Sequence, residues 1–134
     1  MNTQHPAVPA LGQWSTGDGA PADATDAWQA ALSDNYGLWQ VSKAVDSGFS
    51  ARIRNRNFSG LRVVECVCDP CSGRRIPQLI SRDASSFIGV QITKSGSERF
   101  HFGGEVISVG SGDLVIWTSD HPTEFTVTEK LHKV

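Results

Sequence analysis

Apolar and polar positions alternate from Phe49 to Phe58, with Arg52, Arg54 and Arg56 on one face. This is the spacing of a half-buried strand. Ser59-Gly60 offers a turn, and Leu61 to Cys68 follows, rich in β-branched residues, so the pair predicts a hairpin. Asp69 to Gly73 reads as the next turn. Arg74 to Ile80 reads as a third strand, pushed toward a sheet edge by Pro77, which has no N–H to donate. After a loop over residues 81–86, Phe87 to Thr93 reads as a strand and Lys94-Ser95-Gly96 as a turn. Glu98 to Phe102 alternates polar with aromatic, Gly103-Gly104 is a hairpin signal, and Glu105 to Val109 follows. Gly110-Ser111-Gly112-Asp113 then feeds Leu114-Val115-Ile116-Trp117, a strand closed off before Pro122. Glu124 to Thr128 is the last strand. About eight short strands at regular spacing predict an all-β sandwich or barrel. The Leu114–Trp117 strand, held between two turns, is the one around which the others are expected to wrap.

Before this region the period changes. Trp28, Ala31, Leu32 and Tyr36 make one apolar stripe at helical spacing. Asp23 or Thr25 can cap the helix and Gly37 can end it. A lone amphipathic helix must lie on the β part. Residues 1–22 are rich in Pro, Gly, Ala, Ser and Thr, with few apolar side chains to offset ordering entropy. They predict a mobile tail, with Trp14 as a weak candidate for docking.

Size and charge narrow the picture. The chain has 134 residues, one domain's length, and its net charge of −2 makes no global case for nucleic acid or a membrane surface. No apolar run approaches the ~20 residues that span a bilayer. The N-terminus lacks the pattern of a signal peptide, so the expected location is cytoplasmic. Cys66, Cys68 and Cys71 are odd in number, which argues against a disulfide framework. Cys68 and Cys71 have zinc-ribbon spacing, which makes the three a weak metal candidate. Without a second such pair, the plainer reading is buried or edge thiols.

The order of features resembles a family. A Trp-containing helix precedes Gly48-Phe49-Ser50-Ala51-Arg52. Then come Gly60-Leu61-Arg62-Val63-Val64-Glu65, the run Arg74 to Ile80, the run Phe87 to Gly96, and Gly110 to Trp117 with Pro122 after it. Together these resemble the N-terminal effector-sensing domain of AraC-type transcriptional regulators, the cupin-like AraC-binding class, over residues 23–134. The resemblance implies a cupin-like double-stranded β-helix, or jelly-roll, barrel with a flanking N-terminal helix. It also implies a C-terminal helix-turn-helix domain, absent from this chain, through which alone DNA would be bound. Homodimers are common in what it resembles.

Many cupins are metalloenzymes with a His-x-His…Glu…His ligand set. In the register the resemblance suggests, the equivalent positions fall near Arg82, Ala84, Gly89 and Thr123, none a usual ligand. No nucleophile elbow, paired carboxylates or phosphate-cradling loop is present. No catalytic residue and no cofactor is therefore expected. Seven of the eight arginines lie between Arg52 and Arg82. The plain reading is an edge strand blunted by charge. The sharper one is an arginine inside the barrel, pairing with an anionic ligand. The resemblance favours Arg75 for that role, with Gln91, His101 and Trp117 as pocket partners. The expected function is a sensor for a small, aromatic or anionic effector. The alternatives are a metal-dependent cupin enzyme and a protein-interaction domain without a small ligand.

Overall fold

The helix begins where the sequence can cap it. In the computed structural model, which describes residues 11–17 and 23–134, α1 spans Ala24–Tyr36, and the Asp23 carboxylate accepts from the Thr25 N–H at 2.9 Å. Gly37 ends it with φ of 81°, a left-handed value that glycine adopts without strain. Trp28, Ala31 and Leu32 are buried and Tyr36 packs beside them, so the predicted stripe faces the sheet.

Among the described residues nine strands, all paired antiparallel, form one curled sheet. They are β1 (Leu11–Ser15), β2 (Gln40–Val41), β3 (Ala51–Phe58), β4 (Leu61–Cys68), β5 (Ser72–Arg75), β6 (Ile88–Phe102), β7 (Glu105–Val109), β8 (Leu114–Thr118) and β9 (Thr123–Lys133). One path runs β1-β3-β4-β9-β5-β2, and β6 pairs with β7, β8 and β9. The all-β expectation holds. The predicted hairpin is β3–β4, with Phe58 facing Leu61 across Ser59-Gly60.

Four local expectations need correction. First, part of the expected tail is strand: β1 pairs with β3, and Trp14 packs against Trp28, tilted by 32° with ring centroids 5.9 Å apart. Composition alone does not reveal a segment held by another strand's edge. The rest of that tail lies outside the described residues. Second, the strand expected over Arg74–Ile80 stops at Arg75, and Pro77 opens a short helix, α2 (Pro77–Arg82). Proline's fixed φ and missing N–H suit the first turn of a helix. Third, Lys94-Ser95-Gly96 is not a hairpin turn. β6 runs through it, shifting register against β9 between Thr93 and Glu98. Fourth, the Leu114–Trp117 strand is not the centre: among the described residues β8 pairs with β6 alone. Its turn is as read, with the Asp113 carboxylate accepting from the Gly110 N–H at 2.8 Å.

The centre is β6 against β9. β9 has β5 and β6 as neighbours along its first half and β4 and β6 along its second. The core gathers on their inner face, where Ile53 and Leu131 are fully buried beside Phe100, Phe125 and Val127. Gly96 lets the two strands approach: its φ is 87°, and a Cβ there would overlap the Lys130 carbonyl. Gly96→Ala should therefore lower stability by roughly 2 kcal/mol or more. Urea denaturation checks this, and an unchanged midpoint would contradict the close approach.

Candidate functional site

Alternation along β6 and β8 turns Gln91, Thr93, Val115 and Trp117 inward, and Ile88, Val90, Ile92, Leu114 and Ile116 outward. Inside, six aromatic side chains line the cavity. Trp39 lies between Trp117 and Phe125, at centroid distances of 6.0 and 5.4 Å. Trp28, Tyr36 and Phe100 are the others. Trp117 can lie flat on β6 because residue 89 is glycine; a Cβ there would run into the indole.

The cavity between them is about 30 Å³, room for no more than one or two waters. It borders a larger open groove of about 700 Å³, and Tyr36, Gln91, Trp117 and Lys133 line both. These four side chains mark where the interior meets the surface.

The polar groups here are few and specific. Lys133 Nζ lies 3.5 Å from Glu98 Oε2, and neither side chain is open to solvent, at 15% and 0% exposure. Its ammonium also sits 5.2 Å from the centre of the Tyr36 ring and 5.8 Å from that of Phe125, within cation–π range. Burial disfavours the Lys133 cation, but the Glu98 carboxylate together with the Cys66, Cys68 and Cys71 sulfurs more than offsets it and holds the pKa above the usual lysine value. Gln91 donates to the other Glu98 oxygen at 2.8 Å. Burial, with the Cys66 thiol beside it, keeps Tyr36 a neutral phenol. Among the described residues, Trp28 Nε1, the Tyr36 hydroxyl and Glu98 Oε2 find no hydrogen-bond partner. Buried donors are seldom left so.

The sequence-predicted residues divide. Gln91 and Trp117 come together at the cavity. His101 does not: it is exposed on β6, between Val106 and Glu124 on the neighbouring strands. Arg75 is buried, as expected of an interior arginine, but it meets protein acceptors and does not line the cavity. Nε donates to the Ser119 carbonyl at 2.7 Å and Nη1 to the Leu38 carbonyl at 2.9 Å. Nη2 pairs with Asp83 at 2.6 Å. The guanidinium thus ties β5 to the end of α2, the segment after α1 and the segment after β8. Sequence reading missed Lys133, Glu98, Tyr36 and Trp39. Glu98 sits in the Glu98–Phe102 alternation, and Tyr36 at the end of the helical stripe, so a signal existed for both.

The cysteines line the cavity wall. Among the described residues no group of three or more His, Cys, Asp or Glu side chains could hold a metal ion, so the zinc candidate at Cys66, Cys68 and Cys71 is not a gathered ligand set. Cys68 and Cys71 sulfurs are 4.0 Å apart. The hydrogen bond it donates to Cys68, and then burial, push the Cys66 thiol well up. The Cys66 hydrogen bond pulls Cys68 down, but its bond to Cys71 and burial together push it well up. Thr123, where the cupin register would place a ligand, is buried in the wall and donates to the His121 carbonyl at 3.0 Å.

Residues 28–134 match the AraC-binding-like domain. The chain belongs to that family. AraC-binding domains are cupin-like barrels, which agrees with the curled sheet described above. Among solved structures, the chain is similar to the AraC-like transcriptional activator CuxR, at 16% identity and a TM-score of 0.77. That match covers 92% of this chain and 45% of the activator, so the chain spans under half of its length. A structural-genomics protein of unknown function from Rhizobium leguminosarum bv. viciae 3841 matches at 15% identity over 79% of this chain and 85% of its own. Its TM-score of 0.35 is too low to bear on the fold. No curated protein matches the chain in sequence. Among the described residues of this AraC-binding-like domain, no helix is long and apolar enough to cross a membrane.

Two outcomes follow from the site's geometry. Arg75→Ala takes the cation from the Asp83 carboxylate, which keeps the Leu38 N–H at 3.0 Å, and frees two carbonyls, so it should cost about 3–5 kcal/mol of stability, read by chemical denaturation. A loss under 1 kcal/mol would refute the clamp. Iodoacetamide at neutral pH should label the half-buried Cys71 first and spare Cys66 and Cys68 until unfolding. Peptide mass mapping reads the order, and early labelling of Cys66 would contradict it.

Proposed function

We propose that the chain is the effector-sensing module of an AraC-type transcriptional regulator, and that the effector binds where Tyr36, Gln91, Trp117 and Lys133 meet. One observation carries this reading. An aromatic-walled interior holds a buried ammonium and two unpartnered donors, Trp28 Nε1 and the Tyr36 hydroxyl. Those donors want acceptor oxygens, and the rings want a flat partner. The effector is therefore a small planar or aromatic molecule bearing a carboxylate or carbonyl oxygen. The enclosed space is too small for it, so it occupies the inner end of the groove and displaces wall side chains. DNA is bound through a separate domain. An effector changes that domain's behaviour only as far as it binds two states of the sensor differently.

A thermal-shift screen of benzoates, other small carboxylates, amines and sugars tests the chemistry, since a ligand at 100 times its Kd stabilises by about 2.7 kcal/mol. Aromatic carboxylates are expected to raise Tm and to quench tryptophan fluorescence. The double variant Lys133→Met with Glu98→Gln removes the charge without stranding the carboxylate. It should weaken binding about tenfold or more, whereas His101→Ala should leave it unchanged. A ligand that bound both variants as it binds the wild type would place the site elsewhere.

A further inference from the structure

The curled sheet has a gap in it, at the end of β9. Lys133 faces Cys66 of β4 on one side and Thr93 of β6 on the other. Val134 exchanges both backbone bonds with Ile92, at 2.8 and 3.0 Å. Beyond that point β4 and β6 run on. Among the described residues, Leu61–Glu65 of β4 pair only with β3, and Ile88–Gln91 of β6 pair only with β8.

The two free edges carry backbone groups aimed at one another's side. Along an antiparallel strand these groups point alternately to either neighbour. Thr93 bonds toward β8, to Gly112 and Asp113, and Ile92 bonds toward Val134. Ile88 and Val90 therefore point away from β8. On β4, the Asp69 N–H bonds Ser50 on the β3 side, so Arg62 and Val64, of opposite parity, point away from β3. The large groove lies between, and all four of these residues and Val134 line it. An open strand edge is a template for another strand.

We propose that this groove is a strand position, and that its occupant is an extended polypeptide segment joined to Val134 and continuing β9. Direction and register agree. β9 is antiparallel to both β4 and β6, so a strand continuing it is antiparallel to both edges at once. Its first residue would bond Val64, its second Val90, its third Arg62 and its fourth Ile88. Such a segment spans about 13 Å at ~3.3 Å per residue. Its first and third side chains share the face of Lys133 and would close the mouth of the cavity. Its second and fourth would lie among Leu61, Val63, Ile88 and Val90, which are exposed by 60, 38, 74 and 58%. β-branched residues fit such a surface. The inference rests on strand register and stands whether or not the cavity binds an effector.

Amide hydrogen exchange tests it on three proteins: the 134-residue chain, the chain with Val-Thr-Val-Thr added after Val134, and the chain with Pro-Gly-Pro-Gly added there. The amides of Arg62, Val64, Ile88 and Val90 should exchange freely in the first. They should slow by about tenfold or more in the second, with a higher Tm, and stay fast in the third. No slowing in the second protein overturns the proposal. So does protection already present in the first, in which case loss of protection on deleting residues 1–10, or on dilution, names the chain's own N-terminus or a second copy as the occupant.

Discussion

The pairing of β6 with β9 is the constraint on which the barrel depends. These two strands cannot lie flat on one another, because β9 must also reach β5 at one end and β4 at the other. The register shifts between Thr93 and Glu98 supply the bend, as bulges do wherever a sheet must curl. Gly96 makes the bend possible, since only a residue without a side chain fits against the Lys130 backbone. Once the pair is bent, Phe100, Phe125, Val127 and Leu131 converge on one side. The helix then has an apolar surface on which to lay Trp28 and Leu32.

Two buried charge arrangements divide the work between shape and chemistry. Arg75 spends its guanidinium on Asp83 and on the Leu38 and Ser119 carbonyls, joining four segments distant in sequence. It is a fastening. Lys133 is held differently, by one carboxylate at 3.5 Å and two aromatic faces. It retains donor capacity, and it lies where cavity and groove meet. An interior cation that its neighbours do not saturate is the better place to look for an effector's oxygen.

The hairpin, the helix and the inward positions Gln91 and Trp117 were legible because each rests on local periodicity or turn chemistry. Arg75 was legible as an interior arginine, but its partners were not. Asp83 and Ser119 stand 8 and 44 residues away in sequence, and nothing local says that they converge. His101 has the same alternation as its buried neighbours but the opposite parity, and which face is inward is set by what the strand packs on. Lys133 lies near the end of β9, past the point at which apolar alternation stops marking a strand.

The sequence by itself determined the strand-rich class, the capped helix and the family order of motifs, because turns, caps and alternation act over a few residues. Only the tertiary structure decided which strand is central, which arginine is a clamp, and which lysine faces the cavity. Among the described residues it also left Leu61–Glu65 of β4 and Ile88–Gln91 of β6 each paired on one side only. Those outcomes depend on register and closure between segments far apart in the chain. Neither the backbone pairing of β9 nor the burial of Lys133 against Glu98 has a local signature.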